Sequence, residues 1–125
     1  MKVKKLLFPI LFLLSVLSTL SAYGATDYQK VMDDLVSKGD QTVSEYDPSQ
    51  PVEFGNRFSQ MYFGHFEGLG LEFAVGQKNQ EAMLEIEINF SLLTNAAISG
   101  APREEVQQNW QKLRELLLAA EMLES

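Results

Sequence analysis

Val106, Trp110, Leu113, Leu117 and Ala120 recur at intervals of four, three, four and three near the end of this 125-residue chain. That spacing lines all five along one side of an α-helix. Such a stripe cannot be left in water. Burying each large apolar side chain is worth roughly 1.5–3 kcal/mol, so the helix demands a partner surface. The same rhythm recurs upstream. Tyr28, Val31 and Leu35 begin one helix, and Phe54, Phe58, Met61, Tyr62, His65 and Leu69 carry a second to about Glu67. Met83, Ile86, Phe90, Leu93 and Ala97 carry a third. Four amphipathic helices with short connections pack most economically as an antiparallel four-helix bundle, so the expected fold is all-α in one small domain.

Local signals set the expected boundaries. Thr26 with Gln29 forms a capping box before the first helix, and Gly39 suits its C-cap. The polar "DQTVSEYDPSQP" then reads as a connection. Pro51 fits the first position of the second helix, with Glu53 in its first turn. Gly55 and Gly64 weaken that helix by about 1 kcal/mol each relative to alanine, and their expected use is close approach of another helix. The third segment is ambiguous, because "LEIEINF", residues 84–90, alternates apolar and polar as a strand would. The helical stripe runs over fifteen residues against seven for the alternation, so helix is predicted. Gly100-Ala101-Pro102 closes it and opens the last helix, with Pro102 at its first position and Glu104 and Glu105 in the first turn.

The start of the chain has a different character. "MKVKK" is basic, "LLFPILFLLSVLSTL" is apolar, and "SAYGA" is small, the order of a secretory signal peptide. Cleavage is expected after Gly24, with Ala25 the next choice, leaving residues 25–125 as an exported, periplasmic helical domain. An uncleaved anchor is the rival reading, but the apolar run is shorter than the roughly 20 residues a spanning helix needs. The chain has no cysteine, which excludes a lipoprotein anchor, disulfides and a covalent c-type haem. Removing the three signal lysines from ten basic residues leaves seven against seventeen acidic ones, a net charge of about −10. Such a chain repels phosphate backbones, so no nucleic-acid partner is expected. The acidity suits cationic partners or metal cations, or serves solubility alone.

"HFEGLGLEFAV", residues 65–75, sets Glu67 and Glu72 around a Gly-x-Gly break in an apolar run. Glu67 falls near a helix C-terminus, where the macrodipole disfavours negative charge. Two readings are open. The glutamates accept hydrogen bonds from backbone N–H groups left open at the break. Alternatively, Glu67, Glu72 and Glu87 converge as an oxygen-rich site for a hard or borderline cation. His65, the only histidine, follows Met61 by one turn, and a Met-x-x-x-His pair could hold copper, though two ligands make a poor site. No Glu-x-x-His pair occurs, nor a His-Glu-x-x-His motif. With one histidine and no cysteine, nucleophilic catalysis has little support, so no enzyme activity is expected.

Tyr62-Phe63, Phe66-Glu67, Gly70-Leu71-Glu72 and Ala74-Val75 together resemble one known pattern. It continues through Glu87-Ile88-Asn89-Phe90, Leu93, and Gly100-Ala101-Pro102 with Val106. The pattern is that of the extracytoplasmic helical domain of bacterial high-affinity iron permeases, over roughly residues 55–118. The resemblance implies a role in iron uptake, iron as the natural cation at Glu67, Glu72 and Glu87, and a membrane iron permease as partner. Those permeases continue into membrane helices carrying Arg-Glu and Glu motifs, which this sequence lacks. The expected protein is therefore a stand-alone periplasmic accessory, binding a cation or docking on a separate permease, with no cofactor needed for folding. The alternative is a periplasmic helical interaction module without metal. Phe63, Phe66, Leu116 and Leu118 fall beside the main stripes and predict an exposed apolar patch, for a homodimer or for permease docking.

Overall fold

The computed structural model describes residues 27–124, and these are helical throughout apart from short connections. The expected signal peptide, its cleavage site and the Thr26 cap lie outside the described residues. We number the helices α1 (Tyr28–Glu45), α2 (Pro51–Gln60), α3 (Leu71–Lys78), α4 (Gln80–Ile98) and α5 (Arg103–Glu124); α2 continues into a π-helical segment, Met61–Glu67. Five helices thus stand among the described residues where the sequence reading has four. The added one is α3, which follows the Gly-x-Gly break. None of the described helices is long and apolar enough to cross a membrane.

Helix α1 starts at Asp27, whose carboxylate accepts the Lys30 N–H at 3.1 Å. It does not stop at Gly39. The helix runs on to Glu45 and buries Met32, Leu35, Val36, Gly39, Thr42 and Val43 along one face. Gly39 stays helical because the Trp110 ring of α5 occupies the space a side chain would need: a Cβ there would meet ring carbons at 2.0–2.6 Å. Trp110 Nε1 then donates to Asp40 at 2.8 Å, and Arg114 Nε donates to the same carboxylate at 3.0 Å. The expected long connection shrinks to the turn at Tyr46–Gln50, where the Asp47 carboxylate accepts the Ser49 N–H at 2.9 Å.

The core is one cluster shared by all the elements. Phe58, Met61, Phe66, Leu71, Val75, Ile86, Leu93, Val106, Leu113 and Leu117 are fully buried in it. Around it α1 packs on α5, α5 on α4 and α4 on α2, while α3 seats against α4. Gly55 faces Ile98 of α4 at close range, as expected, whereas Gly64 is exposed and meets no other helix. Tyr46, fully buried, closes the far end by donating its hydroxyl to the Ala101 carbonyl at 2.6 Å. Gly100 caps α4 with φ 71°, and the Pro102 carbonyl accepts the Val106 N–H, so Pro102 precedes α5 rather than opening it.

Candidate functional site

The π-helical segment governs what happens at Glu67 and Glu72. Its wider winding sets Tyr62 and Phe66 over Phe90 of α4, with ring centroids 5.4–6.0 Å apart in each pair. The chain then turns through Gly70, at φ 87° and ψ 4°, a left-handed conformation that glycine adopts cheaply. The N–H groups at this break are taken by the backbone: Leu69 donates to the His65 carbonyl and Gly70 to the Glu67 carbonyl, each at 3.1 Å. The first of the two open readings, capping by glutamate side chains, does not hold at these N–H groups. Backbone carbonyls already satisfy the donors.

Glu72 instead lies in the first turn of α3, where the helix dipole favours it. Its carboxylate accepts a short hydrogen bond from the Tyr62 hydroxyl. Glu87 of α4 lies close to both Glu72 and Tyr62. Burial, then the charge of Glu72 and the hydrogen bond with it, raise the Glu87 carboxyl above its ordinary range. Burial and the Glu72 contact likewise push the Tyr62 phenol up, with smaller contributions from the charges of Glu87 and Glu67. Two carboxyls and a phenol thus share a small, half-buried volume between the π segment, α3 and α4. This cluster can hold a proton between its oxygens or offer them to a cation.

The other candidate ligands make no direct contact with these oxygens, although the charge of Glu67 still acts on both Tyr62 and Glu87. Glu67 is exposed and lines a cleft of about 450 Å³ with Glu72, Phe73 and Met83. His65 Nε2 pairs with the Val31 carbonyl of α1 at 2.8 Å, and Met61 is fully buried in the core. Among the described residues, no three or more His, Cys, Asp or Glu side chains come together in a group that could hold a metal ion. Of the five candidate ligands, the structure brings together Glu72 and Glu87, and adds Tyr62. Of the other residues of the resemblance, Phe66, Val75 and Phe90 are core, Gly70 makes the turn, and Pro102 leads into α5, while Phe63 and Ile88 are exposed. A second pair of acids faces across α1 and α5, where burial and then Asp33 raise the Glu121 carboxyl.

Helix α4 has a second distinctive face. Ile86, Phe90, Leu93 and Ala97 are in the core, yet Leu84, Ile88 and Leu92 stand on the opposite side, 46–59% exposed. These three, each four residues apart, form one apolar row along the helix surface. The expected patch is thereby relocated. Phe63 is exposed, but Phe66 is fully buried, and Leu116 and Leu118 pack partly against the core. The signal was present in "LEIEINF". Strand-like alternation inside a helix arises when apolar residues occupy two opposite faces, here Leu84 and Ile88 outside with Ile86 and Phe90 inside.

The chain matches no family model, and comparisons with curated proteins and with solved structures return no match either. The likeness to the iron-permease domain rests on the quoted residues alone.

Proposed function

We propose that this chain is an exported, non-catalytic helical module of the periplasm that acts by docking through the outer face of α4. The supporting observation is the row Leu84, Ile88 and Leu92, exposed on a helix whose other side is already in the core. A helix apolar on both faces belongs in an interior, and an exposed apolar patch commonly marks an interface. We read the scaffold as an antiparallel four-helix bundle of α1, α2 with its π extension, α4 and α5. In that reading α3 is an added short helix that delivers Glu72. The test is a photoreactive amino acid at position 88, introduced in the cells that make the protein. Discrete adducts from position 88, and none from a photoreactive residue at the exposed Gln107, are expected. The absence of any adduct from position 88 contradicts docking.

A second reading is favoured by the Tyr62, Glu72 and Glu87 oxygens: a periplasmic accessory of iron uptake, handing cation to a membrane permease. Phenol and carboxylate oxygens suit a hard cation such as ferric iron. Titration with ferric iron tests it. Binding that is lost in both Tyr62→Phe and Glu72→Gln supports the reading, and an unchanged melting temperature and spectrum in the wild type refute it.

A further inference from the structure

We infer that the outer face of α4 is the two-fold interface of a homodimer, with the α4 helices of two copies packed antiparallel about Ile88. The inference rests on the docking reading and commits it to one occupant, a second copy of this chain. The charge distribution along α4 carries it. Its acids, Glu81, Glu85 and Glu87, all lie in the N-terminal half, and residues 91–98 carry no charge. Antiparallel pairing centred on Ile88 sets Leu84 against the partner's Leu92, and each Glu85 beside a Ser91. Each Glu81 likewise falls beside an Asn95. No acid meets an acid, whereas parallel pairing would set Glu81 on Glu81 and Glu85 on Glu85. The row is thus complementary to itself under a two-fold rotation, as an isologous contact requires. The antiparallel arrangement also opposes the two helix dipoles.

Other occupants fit less well. An anionic lipid surface attracts basic segments, and the acids beside this row would be repelled. Exposed Gln107 lies on α5, off the row, and so serves as a control position.

The chain is expressed from its own start, purified from the compartment it reaches, and its mass is followed by light scattering across its soluble concentration range. Twice the chain mass is expected at the upper end. Ile88→Glu is expected to weaken association by roughly tenfold or more while leaving the helical circular dichroism intact. Gln107→Glu should leave association unchanged. Because the native chain has no cysteine, single cysteines report the geometry directly. Ile88→Cys should link to itself. Leu84→Cys should link to Leu92→Cys but not to itself, since its own copy would lie beyond the roughly 4.4–6.8 Å Cα range of a disulfide. A monomer at every concentration, or association indifferent to Ile88→Glu, overturns the dimer. Preferential self-linking of Leu84→Cys overturns the antiparallel geometry. If position 88 links to residues 1–26 of its own chain, or if Ile88→Glu only abolishes vesicle binding, the dimer is wrong and docking stands. With no adduct from position 88 in any setting, both fall.

Discussion

Trp110 lies over Gly39 so closely that the nearest ring carbon would stand 2.0 Å from any Cβ added there. This contact locks α1 to α5, and the Asp40 carboxylate holds the indole N–H and the Arg114 guanidinium beside it. Gly39→Ala sets two effects against each other. Alanine favours the helix by about 1 kcal/mol, but overpacking a rigid ring costs about 1–3 kcal/mol or more. The clash is with the ring itself, so the clash wins. Urea denaturation should show a net loss of about 1–2 kcal/mol. A more stable variant would mean that α1 and α5 are not clasped here.

Glu87 gives a pH dependence of definite sign. Its folded carboxyl is raised above its ordinary value of 4.5, chiefly by burial and then by Glu72. The folded state therefore binds this proton more tightly than the unfolded one. Its contribution is fully present below the unfolded value and is lost as pH rises through the folded value. Glu87→Gln removes the buried charge, so at pH 7 it should stabilise the protein, by up to about 1 kcal/mol. The advantage should vanish below about pH 4, where wild-type Glu87 is protonated. Melting temperatures of both proteins between pH 3 and 8 check this, and a gap that widens on acidification contradicts the arrangement.

The Tyr46 hydroxyl ties the end of α1 to the α4–α5 turn through the Ala101 carbonyl. Its ring stacks edge-on to Phe54 at 5.3 Å and survives in Tyr46→Phe. Only the hydrogen bond is lost, leaving a buried acceptor unsatisfied, at a cost of about 1–2 kcal/mol. Denaturation midpoints measure it; no change would place water at that carbonyl.

The helical class and most of the core were legible in the sequence because the Met83–Ala97 and Val106–Ala120 stripes keep one period over several turns. Gly39 misled because a glycine near a helix end and one pressed under a tryptophan look alike until α5 is in place. Helix α3 was missed because its eight residues carry too few apolar positions, chiefly Leu71, Ala74 and Val75, to declare a period. Glu72 and Glu87 were legible only as two of three glutamates, because the sequence does not show that Glu67 ends up exposed. Tyr62 shows in the sequence only as part of the stripe of α2, since nothing local reveals that a π-helical turn points its hydroxyl at Glu72. Position 88 hid in the alternation that suggested a strand.

The central claim is that a second copy of the chain covers the row Leu84, Ile88 and Leu92. Carbene footprinting of the purified chain tests it most directly, with Val52 as an internal reference because it is 66% exposed and off α4. At high concentration the three residues should label several-fold less than Val52, and dilution should restore them to its level. Labelling equal to that of Val52 at every concentration would contradict the claim.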